Sequence, residues 1–308
     1  MRGPHGQSRG CSPRRAPGAL FWTRGGGMLP LGSGAVRAGV CCRLEECVSA
    51  AGAGSVERNG VPMRVRADDP LAGELKSAIQ GGDVDGLQRL LDAHPGLAAA
   101  RIEGRRGGAG TALLMAADWP GFFPNGARVV AALIAAGGDV NDRGEQAGGG
   151  PGNEAPLHWA ASSDDAEVAE ALIDGGAEID LPGGSIGTPL ANAVGYGCWQ
   201  VADLLVARGA RIATLWEAAA LGKMARIEEL FASSPAPTAE EIHQAFNHAC
   251  CGGQPRAAAY LLARGADPRW TPDYAKDRTA AEAAAGGGTR WGILRDWLKE
   301  RGLTSGER

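Results

Sequence analysis

Residues 155–209 read APLHWAASSDDAEVAEALIDGGAEIDLPGGSIGTPLANAVGYGCWQVADLLVARG, and this stretch decides the fold. It predicts two successive helix pairs, each with a short first helix, a turn and a second helix. Pro156 and Pro189 stand at the first helical positions, where a missing N–H is not needed and φ is already suitable. Gly176 and Gly209 follow the second helices, where a residue in the left-handed conformation ends a helix at little cost. The two helix pairs begin 33 residues apart, so the pattern is a repeat.

The Thr-Pro-Leu opening at Thr188, the paired helices and the repeat length together resemble the ankyrin repeat. Thr188 is expected to cap its helix through the side-chain hydroxyl. The resemblance implies that His158 stiffens its turn by hydrogen bonding, whereas Ala191 stands at the equivalent place and cannot do so. Small residues such as Ala160 and Ala193 let neighbouring inner helices approach closely.

The same pattern continues on both sides and predicts an all-α ankyrin-repeat solenoid of about seven stacked helix-pair units with degenerate terminal caps. Each unit opens with an apolar residue, followed by Ala three positions later and by a small or apolar residue four positions later. The openers are Leu75, Leu113, Leu157, Leu190, Leu215, Phe246 and Ala281. One helix pair cannot bury its apolar face alone, so stacking of the units is obligatory. We therefore expect residues 63–308 to form one ankyrin repeat domain.

Residues 1–62 differ from the rest, because they carry eight Arg against three Glu and little hydrophobic periodicity. We interpret them as a disordered extension or as the product of a start codon placed too early, with Met63 as a natural start. A transit peptide is the alternative, although no amphipathic helix is evident. The Arg-rich segment could bind nucleic acid, but the net charge of −9 on residues 63–308 argues against a phosphate-binding groove there.

The overall composition indicates the source organism and the cellular compartment of the protein. Only four of the 31 basic residues are Lys, which is typical of a GC-rich genome and favours a bacterial source. No apolar run approaches the roughly 18 residues that a membrane-spanning helix needs. Seven Cys without framework spacing predict reduced thiols and a cytoplasmic protein.

Candidates for chemistry are few. Zinc needs two Cys or His pairs whose ligands converge in a tetrahedron, and this spacing does not repeat in the one cluster of His and Cys. That cluster consists of His243, His248, Cys250 and Cys251. His158 near Asp164 and Asp165 has no nucleophile motif beside it, and the Gly-rich residues 148–150 lack the GK[ST] of a phosphate-binding loop. The sequence predicts no metal, no cofactor and no enzyme.

The aromatic residues are more informative. In the ankyrin family, partners contact the concave face, which is formed by loop tips and by the residues just after the inner Ala pair. Carried over by position, and joined by two residues of an enlarged turn, the protein-binding candidates are Asp118, Trp119, Phe122, Phe123, Ser162, Ser163, Tyr196 and Leu221. Trp119 and Tyr196 are of the amphipathic aromatic type that is enriched in binding hot spots. The alternative for Phe122 and Phe123 is that the insertion folds on itself and buries both.

These observations predict a non-enzymatic scaffold that binds an unidentified protein partner through a rigid, preformed surface. We expect a monomer that binds neither nucleic acid nor membrane. One alternative is an atypical metal- or small-molecule-dependent enzyme on a helical-repeat scaffold. A deep pocket around His243, His248 and Cys251 would support this alternative. Another is a subunit that is stable only within a fixed complex.

Overall fold

The computed structural model describes residues 62–104, 107–148, 150, 152–273, 276 and 279–303. In this part of the chain fourteen α-helices follow one another in seven pairs, which confirms the all-α solenoid and its seven units. The expectations for residues 1–62 fall, except for Pro62, outside the described residues. The inner helices, first in each pair, are α1 (Pro70–Gly81), α3 (Ala112–Ala116), α5 (Pro156–Ser163), α7 (Pro189–Tyr196), α9 (Leu215–Ala220), α11 (Ala239–Cys251) and α13 (Ala280–Ala283). The outer helices are α2 (Val84–Ala93), α4 (Gly126–Ala135), α6 (Ala166–Asp174), α8 (Trp199–Ala207), α10 (Met224–Ala232), α12 (Pro255–Leu262) and α14 (Thr289–Glu300).

The local sequence explains where these helices begin and end. Pro156 and Pro189 are the first residues of α5 and α7, as predicted. The hydroxyl of Thr188 accepts a backbone N–H in the first turn of α7. Gly176 and Gly209 follow α6 and α8 with φ of 95° and 96°, a conformation that an L side chain rarely adopts.

A small three-stranded sheet precedes the second unit and was not predicted. Strand β1 (Arg64–Val65) pairs in parallel with β2 (Arg101–Glu103), which pairs antiparallel with β3 (Ala109–Gly110). Strands of two or three residues carry no readable alternation, and the pairing of β1 with β2 joins distant parts of the chain. The sheet therefore arises from long-range contacts that no local pattern reports.

Ion pairs reinforce this sheet. The guanidinium of Arg64 lies 3.0 Å from a carboxylate oxygen of Glu103 and 3.1 Å from one of Glu145. Arg101 is paired with Asp142 and lies 3.2 Å from Glu145, and its side chain is only 17% exposed. A partly buried network of this kind is worth more than an isolated surface pair. It fastens the segment before α1 to the loops of units one and two.

The apolar interior divides into two clusters along the solenoid. The first runs from Val65 to Ala210 and includes Ala220, and the second runs from Leu215 to Leu298. The division falls at the short connection between α8 and α9. Half-buried Ile212 and Trp216 pack against both clusters, so they join the two cores.

Unit six departs from the expected register. Its opener Phe246 lies in the middle of α11, which begins seven residues earlier at Ala239. The cause is local, because Thr238 and Glu241 form a capping box: the Thr238 N–H donates to Glu241 at 2.8 Å, and the Glu241 N–H donates to the Thr238 hydroxyl at 3.3 Å. The extension of α11 forms one wall of a cavity of about 470 Å³ whose lining includes Trp216.

Candidate functional site

The turn between α3 and α4 exposes two aromatic side chains. We call residues 119–124 the aromatic turn. Trp119 is 77% exposed and Phe122 is 63% exposed, whereas Phe123 is half-buried. The insertion therefore shields Phe123 in part and leaves Trp119 and Phe122 accessible to a partner. Large aromatic side chains that stand together at the surface are typical of protein-binding sites.

The backbone of the aromatic turn is held in an uncommon conformation. Phe122 has a φ of 56°, in the left-handed region that bulky residues seldom occupy. Its N–H donates to Oδ2 of Asp165 at 2.5 Å. Asp165 is 3% exposed and also caps α6, where its Oδ1 accepts the N–H of Val168 at 3.1 Å. A buried carboxylate of unit three thus fixes the conformation in which the Phe122 ring is exposed.

Close contacts with both neighbouring units fix the rest of the aromatic turn. A Cβ on Gly121 would lie 3.0 Å from the Cβ of Ser163 in unit three. On the other side, the Asn125 side chain donates to the carbonyl oxygen of Gly82 at 2.9 Å. The backbone of Pro124 lies so close to Gly82 that an added Cβ would come within 2.0 Å of its carbonyl oxygen. The aromatic turn is therefore clamped between units one and three.

A second exposed apolar group lies at the end of α7. Ile186 is 42% exposed and Tyr196 is 37% exposed. Residues 182–187, which we call the strap, run along α7, because Cδ1 of Ile186 would lie 2.5 Å from a Cβ on Gly195. The hydroxyl groups of Ser185 and Tyr196 lie 3.3 Å apart, within hydrogen-bond distance. The strap thus brings Ile186 beside the predicted residue Tyr196.

Hydrogen bonds connect Tyr196 with another predicted residue, Ser162. Oε1 of Glu154 accepts bonds from the backbone and the hydroxyl of Ser185, at 2.9 and 3.0 Å, and from Nδ2 of Asn192 at 2.9 Å. The same Nδ2 donates to the Ser162 hydroxyl at 3.2 Å. Asn192 is fully buried and its Oδ1 has no partner among the described residues. Units three and four therefore share one polar cluster on their inner helices.

The structure distributes the remaining predicted residues unevenly. Asp118 immediately precedes the aromatic turn, and its carbonyl oxygen accepts the N–H of Gly121 at 2.9 Å. Leu221 follows α9 and is half-buried against the first apolar cluster. Asp118, Trp119, Phe122, Phe123 and Ser163 therefore lie around one turn, and Ser162 and Tyr196 belong to the polar cluster. Leu221 joins neither group.

His158 connects the start of α5 with the strap. Its Nδ1 lies 3.3 Å from the N–H of Ala155, which donates to it, and its Nε2 lies 3.2 Å from the carbonyl oxygen of Gly187. The neutral tautomer with a proton on Nε2 satisfies both contacts. Burial lowers the pKa of His158, which favours this neutral form. These contacts match the structural role that the resemblance implies for this residue.

The cluster of His and Cys in α11 is dispersed among packing contacts. Nδ1 of His243 accepts the N–H of Asp267 at 3.0 Å, and the ring of His248 lies 4.8 Å from that of Trp216. Burial raises the pKa of the Cys250 thiol and lowers the pKa of His248 to about 4. Among the described residues, no three His, Cys, Asp or Glu side chains are grouped so that they could hold a metal ion.

Two further observations bear on the alternatives. The enzyme alternative requires a pocket around His243, His248 and Cys251. None of these three residues lines the cavity beside α11. Within the described ranges, every helix is too short or too polar to cross a lipid bilayer.

Comparison with known proteins adds the following. The model of the ankyrin repeat family matches residues 153–183, which are α5, α6 and the loop that follows them. No curated protein matches the chain. Among solved structures, the crystal structure of the human ASB11 ankyrin repeat domain is similar, with 17% sequence identity and a TM-score of 0.43. That match covers 76% of this chain and 98% of the other.

Proposed function

Because this chain is an ankyrin-repeat protein, we propose that it is a non-enzymatic scaffold that binds a protein partner through the inner-helix ends of units two to four. Ankyrin repeats are generally protein–protein interaction modules. The observation that carries the proposal is the aromatic turn, where Trp119 and Phe122 are exposed in a conformation fixed by Asp165. Folding stability alone gives no reason to hold a bulky residue at a positive φ with its ring in water.

The proposed mechanism is binding to a preformed surface. The aromatic turn is clamped by units one and three, and the strap is bonded to α7, so both groups are ordered before the partner arrives. Little conformational entropy is then lost on binding. In sequence order, unit three separates the two aromatic groups and contributes the small residues Ser162 and Ser163. We propose that an apolar segment of the partner lies across these serines and contacts Trp119 and Phe122 on one side and Ile186 and Tyr196 on the other.

Affinity capture with the full chain as bait tests this surface. The variant Trp119→Ala, Phe122→Ala, Tyr196→Ala removes the exposed rings, and Ile293→Ala, which truncates an exposed residue of α14, is the matched control. We expect one protein to be enriched by the wild type and by the control and lost from the triple variant. Circular dichroism of all three proteins verifies that they are folded. Equal capture of the same protein by the triple variant would refute the proposed contact surface.

We also propose that the protein without its partner is a monomer of 31.5 kDa, which light scattering after size-exclusion chromatography measures directly. The cytoplasm is the proposed compartment, because the cysteines described, Cys198, Cys250 and Cys251, are not in disulfide bonds.

A further inference from the structure

The turns of the last three units carry a different charge from those of the first three. Asp83 and Asp165 cap the outer helices of units one and three with their side chains. In contrast, residues 220–227, 251–261 and 283–295, which hold the turns of units five to seven, contain no Asp or Glu. Their basic residues are Lys223, Arg226, Arg256, Arg290 and Arg295. We call Lys223, Arg256 and Arg290 the basic edge.

The turns that carry the basic edge touch one another in order. A Cβ on Gly222, next to Lys223, would lie 2.4 Å from the side-chain oxygen of Gln254 in unit six. A Cβ on Gly253 would lie 3.0 Å from Cγ of Arg290 in unit seven. The three turns that carry these cations therefore lie side by side.

Two tryptophans hold Arg290 in place. Its guanidinium carbon lies 4.1 Å from the ring centroid of Trp291 and 5.8 Å from that of Trp199, and the two rings are 6.5 Å apart. Nε1 of Trp291 in turn donates to the carbonyl oxygen of Cys251 at 2.9 Å. A guanidinium stacked on an aromatic ring keeps its N–H donors available at its edge, in the arrangement that binds a carboxylate with two parallel hydrogen bonds.

The stability of the fold does not explain Lys223 and Arg256. All three cations of the basic edge lie at the N-termini of α10, α12 and α14, where the helix dipole disfavours positive charge, and only Arg290 is compensated by aromatic contacts. None of these three helices has a side-chain cap. Lys223 and Arg256 are exposed and form no ion pair with any described residue. An anionic partner would supply the charge that the chain itself does not place there.

We propose that the basic edge binds an acidic segment of a protein, rich in Asp and Glu. This is a second surface, separate from the aromatic turn, and it adds a charged element to the partner class of the proposed function. A polynucleotide fits less well, because Trp291 is only 9% exposed and its face is not available for stacking of bases.

Fluorescence anisotropy with a fluorescein-labelled peptide of alternating Glu and Gly tests the proposal on the full chain. The test variant is Lys223→Glu, Arg256→Glu. The matched control is Arg128→Glu, Lys299→Glu, which changes the net charge equally at exposed positions of α4 and of the far end of α14. The test variant is expected to fold, because Glu is favourable at a helix N-terminus.

We expect the test variant to bind the peptide at least about tenfold more weakly than the wild type. The control should remain within about twofold, because charges beyond a screening length of roughly 8 Å contribute little at physiological salt. Absence of binding to the wild type, or equal weakening in both variants, would overturn the proposal. Tighter binding of oligothymidine that is also lost in the test variant would assign the surface to nucleic acid instead. The variant Trp119→Ala should retain the peptide affinity, so failure here is distinct from failure of the aromatic surface.

Discussion

Replacement of Asp165 by Ala tests whether this one carboxylate supports both a helix and the aromatic turn. The substitution removes the N-cap bond to Val168 in α6, which is worth about 1 kcal/mol. It also removes the bond from the Phe122 N–H to a buried charged acceptor, which is worth about 2 kcal/mol. We therefore expect the free energy of unfolding to fall by about 3 kcal/mol. Urea unfolding followed by far-ultraviolet circular dichroism measures this loss.

Asp83 provides the matched comparison, because it caps α2 in the same way. Its Oδ1 accepts the N–H of Gly86 at 2.8 Å, and it makes no contact equivalent to the one with Phe122. Asp83→Ala should therefore reduce the free energy of unfolding by only about 1 kcal/mol. If Asp83→Ala and Asp165→Ala reduced it equally, the bond to Phe122 would contribute nothing and the argument for an enforced aromatic turn would fail.

Two further predictions concern the packing of the turns and the buried histidine. Gly82→Ala should lower the free energy of unfolding by roughly 3 kcal/mol in thermal or urea unfolding, because Gly82 has a φ of 66° and the new Cβ overlaps Pro124. Gly96→Ala should lower it by only about 1 kcal/mol, because Gly96 has a φ of 90° but open space around it. Equal losses in the two variants would contradict the overlap argument. Burial lowers the pKa of His248 from 6.5 to about 4 in the folded state, so the unfolded chain takes up the proton first as the pH falls below 6.5. This residue should therefore reduce the free energy of unfolding of the wild type by about 2 kcal/mol between pH 7 and pH 5. In His248→Gln this part of the loss should be missing from urea midpoints measured at the two pH values, and an unchanged pH dependence would show that His248 does not titrate as described.

The helix pairs could be predicted because their determinants are local. Pro156, Pro189 and Thr188 set helix starts within one turn of sequence, and Gly176 and Gly209 set helix ends. These are steric and hydrogen-bonding preferences of neighbouring residues. The start of the long helix α11 also has a local signal, because Thr238 and Glu241 have the spacing of a capping box. The repeat pattern, which takes Phe246 as the opener of this unit, does not indicate that start.

The candidate site was less predictable, because it depends on contacts between units. Trp119 could be singled out by its position after an inner helix, and Phe122 as an aromatic residue of the enlarged turn. Their exposure depends on Asp165 in the next unit, which sequence reasoning considered only as a possible partner of His158. Ile186 was missed because the strap reads as an ordinary glycine-rich loop, and nothing in its composition indicates that it runs along α7. Glu154 and Asn192 were missed for the same reason.

Position in the repeat brought most of the predicted binding residues together, but it placed Leu221 apart from them. Leu221 was carried over by register in the same way. It follows α9, is half-buried and packs against the first apolar cluster. Register along the repeat therefore does not by itself fix which side chains are exposed.

The division of the interior into two apolar clusters has a consequence for how the chain responds to force. A solenoid with one continuous core resists extension evenly along its length, because each unit is supported by its neighbours. Here the halves are joined by side chains that pack across the division, among them Ile212 and Trp216, and by the rings of Trp199 and Trp291, which lie 6.5 Å apart. We expect a pulling force on the two ends to break these contacts before either half loses its own packing. The aromatic turn lies in the first half and the basic edge in the second.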